Sequence, residues 1–166
     1  MTYPTDLHSQ PNAVAVAHLR NNQQLDIVIA YFGNNSIGVL RGLGNGSFVS
    51  HTHISTGASR PITIHAAHLD NDTFLDLITA DYGTDSITIY FGDGTGHFEY
   101  RKTYATGYDS LPVFITSGDL NGDNRLDLAV AKSGTHNVEL FFGGSDGEIV
   151  EQQVFILIQT RSLLVT

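Results

Sequence analysis

The stretch Asp119-Leu120-Asn121-Gly122-Asp123-Asn124-Arg125-Leu126-Asp127 decides how this chain is read, because its frame recurs upstream. Asp127 aligns with Asp76 and Asp26, and Pro112 aligns with Pro61 and Pro11. A fixed period of about 50 residues is the mark of stacked supersecondary units, each burying a face against the next. Three copies fit between Pro11 and residue 156.

Working outward from the acidic stretch, each copy carries four extended segments. The segment before it holds Val14, Ile64 and Ile115 in one column and the small residues Ala17, Ala67 and Gly118 in another. The small column predicts close backbone packing. The segment after it is apolar on both faces: Leu-Asp-Ile-Val-Ile-Ala from Leu25, Leu-Asp-Leu-Ile-Thr-Ala from Leu75 and Leu-Asp-Leu-Ala-Val-Ala from Leu126. Short unbroken apolar runs rich in branched residues fit strands covered on both sides. A third segment alternates, with Ile37 and Val39, Ile87 and Ile89, and Val138 and Leu140 expected to face inward, and Gly38, Thr88 and Glu139 the other way. The turns before it, Gly33-Asn34-Asn35, Gly83-Thr84-Asp85 and Gly134-Thr135-His136, are expected to use glycine and Asx residues for left-handed backbone. The fourth segment opens with Phe48, Phe98 or Ile149 after a glycine-rich turn and then becomes polar, as an edge strand does.

Four strands per unit and no helical periodicity predict an all-β fold, a partial β-propeller of about three four-stranded blades. The competing architecture is a two-layer sandwich with evenly spaced strands. The predicted divisions are residues 1–10 as the end of a preceding blade or a linker, 11–60, 61–111 and 112–156 as blades, and 157–166 as an off-pattern tail. Three blades are few for a closed ring, so the reading is a fragment of a larger propeller, or an arc that associates with further blades or with itself.

The formal net charge of −9 argues against nucleic acid and anionic membrane surfaces as partners. The absence of cysteine excludes disulfides and thiol chemistry. Met1-Thr2-Tyr3-Pro4 does not open a signal peptide, and no apolar run reaches the length of a membrane span. Three Asn-x-Ser/Thr triplets begin at Asn34, Asn45 and Asn71, on predicted turns where a glycan fits.

The acidic stretch also has metal-loop spacing. Asp119, Asn121, Asp123 and Asp127 stand at positions 1, 3, 5 and 9, and Arg125 offers its carbonyl at position 7. Several hard oxygens with flexible geometry suit Ca²⁺. It is not an EF-hand: Asn124 and Val130 stand where that loop needs glycine and glutamate. The alternative is an Asx-rich turn that bonds its own backbone. The second copy keeps Asp70, Asp72 and Asp76, but His68 replaces the first aspartate. The first copy, with His18, Arg20, Asn22, Gln24 and Asp26, has one carboxylate, and Arg20 is expected to pair with Asp26 in place of an ion.

Asp119-Leu120-Asn121-Gly122-Asp123, Leu126-Asp127-Leu128 and Phe142-Gly143 together resemble the FG-GAP or VCBS-type repeat. Phe91-Gly92 matches in the second copy and Arg41-Gly42 departs in the first; Gly57-Ala58 loosely echoes the remaining element of the motif. The resemblance covers about residues 3 to 155. It implies a seven-bladed propeller like the head of integrin alpha chains, with calcium held at Asp119, Asn121, Asp123, the Arg125 carbonyl and Asp127, and a role in extracellular adhesion or recognition.

Three functions are open. The first is a non-catalytic, calcium-stabilised module for a protein or carbohydrate ligand, with Tyr31, Phe32, Tyr82 and Tyr108 as candidate contacts. The second is the propeller portion of a carbohydrate-active enzyme. His51-x-His53, or His65 with His68, would then hold a transition metal, but no third ligand accompanies them, and no His-Glu-x-x-His or Gly-x-Ser-x-Gly pattern occurs. The third is a structural spacer. The expectation is that the chain is not an enzyme and lies outside the cell or on its surface.

Overall fold

A computed structural model describes residues 2, 3, 5, 7–98 and 101–155, apart from the side chain of His51. The off-pattern tail, 157–166, lies outside the described residues.

Twelve strands form three four-stranded antiparallel sheets, each ordered as in the sequence. The first contains β1 (Pro11–Ala17), β2 (Asp26–Tyr31), β3 (Ser36–Gly42) and β4 (Phe48–Ser55). The second contains β5 (Pro61–Ala67), β6 (Asp76–Asp81), β7 (Ser86–Tyr90) and β8 (Arg101–Ala105). The third contains β9 (Pro112–Gly118), β10 (Asp127–Lys132), β11 (Asn137–Gly143) and β12 (Ile149–Phe155). These are the blades, and the all-β partial propeller expected from the repeat is what forms.

The core is divided between the two blade–blade junctions. Val28, Ala30, Ile37 and Val39 of the first sheet meet Ile64, Leu77 and Tyr90 of the second. Ile78, Ala80, Ile87 and Ile89, on the other face of the second sheet, meet Ile115, Leu128, Val130 and Phe141 of the third. The middle sheet is therefore covered on both sides, and every residue of β6 is buried. The uninterrupted apolar runs in the sequence follow from this arrangement. The end blades each keep one open face: Val14 and Val16 are 62% and 57% exposed, while Phe114 and Val138 are 58% and 38% exposed. The inward placement expected of the third segment therefore holds for Ile87 but is corrected in the third blade, where Val138 lies on the open outer face and Glu139 is the buried neighbour.

The β2–β3-type turns bear out the Asx half of one expectation and correct the glycine half. Their left-handed residues are Asn35, Asp85 and His136, with φ of 54°, 50° and 53°, and not the glycines. Gly33, Gly83 and Gly134 are needed for space: a Cβ there would come within 2.0 Å of His8 O, 2.6 Å of Ala58 O and 2.0 Å of Asp109 O. The linker entering each blade lies against that turn, and the Gly33, Gly83 and Gly134 amides donate to Ser9 O, Ser59 O and Ser110 O.

Tyr3 stands to the first blade as Tyr104 stands to the third. Its hydroxyl accepts from Phe48 N (2.8 Å), as the Tyr104 hydroxyl accepts from Ile149 N (3.1 Å).

Candidate metal centre

Each acidic turn joins the first two strands of a blade, and each is organised around the aspartate that opens the second strand. In the third blade, Asp127 Oδ2 accepts from Leu120 N (2.8 Å) and Oδ1 from Gly143 N (3.0 Å). In the second, Asp76 Oδ2 accepts from Leu69 N (2.9 Å) and Oδ1 from Gly92 N (3.0 Å). In the first, Asp26 Oδ1 accepts from Gly42 N (2.8 Å). These buried carboxylates clamp the turn to the glycine at the end of the third strand. That glycine cannot be replaced cheaply, because a Cβ at Gly42, Gly92 or Gly143 would lie 2.0–2.2 Å from the carbonyl oxygen of Leu25, Leu75 or Leu126. The metal-loop reading of the sequence does not reveal this clamp; its visible trace is the common spacing of aspartate and glycine, 16 residues apart in every blade.

The three turns differ in how they compensate that charge. In the first, Arg20 Nε and Nη2 reach both oxygens of Asp26, the closest contact being 2.6 Å, and Nη2 also donates to Gly42 O. The expected internal cation is present, and such a two-pronged pair is strong where it is shielded from water.

In the second turn no ion pair reaches Asp76 among the described residues. Burial pushes its carboxyl up to about 6; the Gly92 and Leu69 amides pull it down, while the charges of Asp70 and Asp72 push it up again. His68 Nδ1 lies 2.7 Å from Phe74 O. A carbonyl only accepts, so the ring donates, and it occupies the position-7 oxygen that a calcium loop would use. His18 does the same to Gln24 O in the first turn, at 3.2 Å.

In the third turn Asp119 replaces that histidine. Its oxygens accept from Gly122 N (2.7 Å), Asp123 N (3.1 Å) and Asn124 N (2.9 Å). The Asn124 amide, joined by those of Gly122 and Asp123, holds the Asp119 carboxyl below its ordinary range. Asn121 Oδ1 accepts from Asp123 N, and its Nδ2 donates to Asp123 Oδ2. Arg125 pairs with Asp123 at 2.5 Å and donates from Nε to Gly143 O, the counterpart of the Gly42 carbonyl used by Arg20. Among the described residues, no three histidine, aspartate or glutamate groups converge closely enough to hold a metal. The third donor set nonetheless fits calcium in chemistry: Asp119, Asn121 and Asp123 face solvent wholly or in part, Asp119 Oδ2, Asn121 Oδ1 and Asp123 Oδ1 each accept one hydrogen bond and retain a lone pair, and among the described residues no histidine donates to the Arg125 carbonyl. The second set fits less well because of His68, and the first does not fit because Arg20 stands in it.

The histidines considered for a transition metal are engaged separately. His53 stacks on Tyr31 with centroids 5.5 Å apart, and His65 Nε2 lies 2.8 Å from Ser117 Oγ. Burial lowers the affinity of His65 for a proton. The side chain of His51 lies outside the described residues. Of the candidate contact aromatics, Tyr31 is buried, Phe32 and Tyr82 pack on each other across two blades (6.1 Å), and Tyr108 is 95% exposed.

At the opposite end of the blades, a column that the sequence reading passed over carries chemistry. Register places Tyr31 opposite Ser36, Asp81 opposite Ser86 and Lys132 opposite Asn137, so these three residues are equivalent. Lys132 and Asp81 are buried, and the signal in the sequence was a charged residue closing an otherwise apolar run. Lys132 Nζ donates to Glu139 Oε2 (2.8 Å) and to Thr106 O (3.0 Å). Asp81 accepts from Thr79 Oγ1 (2.8 Å) and Thr88 Oγ1 (2.5 Å).

No helix among the described residues is long and apolar enough to cross a membrane. No curated protein matches the chain. Among solved structures, virginiamycin B lyase from Staphylococcus aureus, a selenomethionine-substituted crystal form, superposes with a TM-score of 0.62 at 15% identity. The superposition covers 92% of this chain and 43% of the lyase, so the chain spans less than half the length of that neighbour. At this identity the likeness shows a shared propeller-like fold. The profile of the FG-GAP-like repeat matches residues 18–79 and 68–130, which takes in every acidic turn, and the chain therefore belongs to the FG-GAP-like repeat family.

Proposed function

We propose that this β-propeller module is non-catalytic, that calcium stabilises its third blade, and that it serves extracellular binding or adhesion toward a protein or carbohydrate ligand. The observation that carries the calcium reading is the contrast between turns. Arg20 supplies two hydrogen-bonded prongs to Asp26 in the first, whereas Asp119, Asn121 and Asp123 in the third present oxygens to solvent around a carbonyl that no histidine engages. Asp119, Asn121, Asp123, the Arg125 carbonyl and Asp127 would hold the ion. Asp70, Asp72 and Asp76 form a second, weaker set.

When bound, calcium supplies positive charge that neutralises the carboxylates and cross-links the turn in the folded state alone. The chain itself supplies the rest: Asp127 fixes the turn to Gly143, and the Asn124, Gly122 and Asp123 amides hold Asp119 charged. The exposure of Asn34, Asn45 and Asn71 supports placement outside the cell, where they would accept glycans.

The test is thermal unfolding with calcium and with chelator. Wild type should melt several degrees higher in calcium, and Asp123→Ala should abolish the difference. An identical wild-type melting temperature in both conditions would overturn the calcium reading.

A further inference from the structure

The column of Tyr31, Asp81 and Lys132 is finished differently in each blade. In blade 1 the Tyr31 ring fills the space. The ring lies over Gly38, two residues along from its register partner Ser36, where a Cβ would come within 2.5 Å of the ring, and a cavity of about 70 Å³ remains. In blade 3 an ammonium and a carboxylate fill it. Lys132 and Glu139 are 4% and 7% exposed, and the ammonium is seated between Glu139 and the carbonyl of Thr106 in the incoming linker.

Blade 2 has the oxygens of that arrangement without the lysine, and the cation that lines it, Arg101, acts on Asp81 through charge alone. Asp81 is buried, and among the described residues it forms no ion pair. Beside it lies a pocket of about 380 Å³ lined by hydroxyls: Thr56, Ser59, Thr84, Ser86, Thr88 and Thr103, with Tyr90 and Arg101. Thr56 occupies the linker place of Thr106, since their amides donate to the equivalent carbonyls of Asn35 and Asp85. Thr56 Oγ1 and Ser59 Oγ are buried and have no hydrogen-bond partner, in residues 7% and 6% exposed. The Ser59 hydroxyl is near enough to the Asp81 carboxylate to favour its charge, yet stands outside hydrogen-bond geometry. Unsatisfied buried hydroxyls are costly, and a ligand that satisfies them recovers that cost. Each Asp81 oxygen accepts one hydroxyl hydrogen bond and retains a lone pair. Arg101 spends Nη1 on Ser55 O at the exposed rim and acts on Asp81 only at longer range.

We propose that the pocket beside Asp81 binds a primary ammonium group, seated against the Asp81 carboxylate and the surrounding hydroxyl oxygens as Lys132 Nζ is seated in blade 3. The group comes from a small free amine or from a lysine side chain of a protein partner. Three donors on one small charge match several acceptors, which a quaternary ammonium cannot do. The proposal goes beyond the calcium reading and stands without it, because Asp76 and Asp81 are the two ends of one strand, about 16 Å apart.

The test is a titration of the full-length ¹⁵N-labelled chain followed by amide NMR, repeated in chelator. n-Butylammonium should shift the amides of Thr56, Ser59, Asp81 and Thr88 and saturate, whereas tetramethylammonium at equal ionic strength should not. Asp81→Asn should weaken the response at least tenfold. The double variant Asp81→Lys/Thr88→Glu, which installs the blade 3 pair, should fill the pocket and abolish it, and keeps the test usable if the first variant fails to fold. Tighter binding of Nα-acetyl-lysine methylamide than of ethanolamine would identify a protein lysine as the source; the reverse order would identify a free amine. No saturable shift, equal response to both cations, or saturation by glucose at the same amides would overturn the proposal.

Discussion

The first and third acidic turns share one backbone plan and solve its charge problem in different ways. Both anchor a buried aspartate to the amide of the glycine that ends the third strand. In the first, the arginine comes from position 3 and grips that aspartate; in the third, it comes from position 7, grips Asp123 instead, and leaves a solvent-facing set of oxygens. One turn carries its counter-ion in the chain, and the other has the composition to take it from solution. The comparison teaches that the spacing of acidic residues marks the clamp in all three turns, and that the residues at positions 1, 3 and 7 decide where the balancing charge comes from.

The largest way to break the comparison is to remove the clamp itself. Asp26→Ala strands the Arg20 guanidinium and the Gly42 amide and should cost about 3–5 kcal/mol in chemical denaturation. A loss below 1 kcal/mol would mean that the pair contributes little beyond what water offers. Next comes the external charge. With calcium at about a hundred times its dissociation constant, the wild type should gain about 2.7 kcal/mol, and Asp119→Ala should lose that gain while Arg20→Ala keeps it. Calcium sensitivity that survives in Asp119→Ala would place the ion elsewhere.

The same contrast exists at the other end of the blades, between the Lys132–Glu139 pair and solitary Asp81. Burial is the main reason the Asp81 carboxyl is pushed up to about 6, and hydrogen bonds from Thr88 and Thr79 oppose it. A raised acid binds its proton more tightly in the folded state. Its penalty is therefore absent at pH below about 4, grows through pH 6, and stays at its full value above that. Asp81→Asn should flatten this part of the stability curve and raise stability at pH 7 by about 1–3 kcal/mol. A variant curve that keeps the wild-type slope between pH 4 and 6 would assign that slope to other groups. The smallest effect is expected at His18. His18→Ala removes one exposed hydrogen bond to Gln24 O and should cost about 0.5–1.5 kcal/mol, visible as a small shift in the denaturation midpoint.

Much of this architecture was legible in the residues. The period, the prolines and the apolar runs locate the sheets, because burial on one or both faces imposes its own pattern on the chain. Arg20 was legible as well, since a lone arginine among missing carboxylates has an evident partner. The clamp was not. Sequence spacing puts Asp127 near Gly143, but only the folded register shows that both its oxygens are met by backbone amides. The roles of Gly33, Gly83 and Gly134 were misread for a related reason. Glycine serves positive φ and close approach equally, and the choice depends on a linker that arrives from the preceding blade. Tyr31, Asp81 and Lys132 share a column with no common chemistry, so alignment alone could not reveal that they fill one structural position.

The turn glycines that meet the linkers have a consequence for how such a protein changes over time. The segment entering each blade is held by a main-chain bond from Gly33, Gly83 or Gly134, to which the Asp85 carboxylate and the Ser133 hydroxyl add side-chain bonds at the third blade. Orientation is thereby separated from the composition of the crevices between neighbours. A crevice can drift from an aromatic plug to an ionic one, or become hollow, while the angular step of the array is preserved, so new recognition chemistry can be tried one junction at a time.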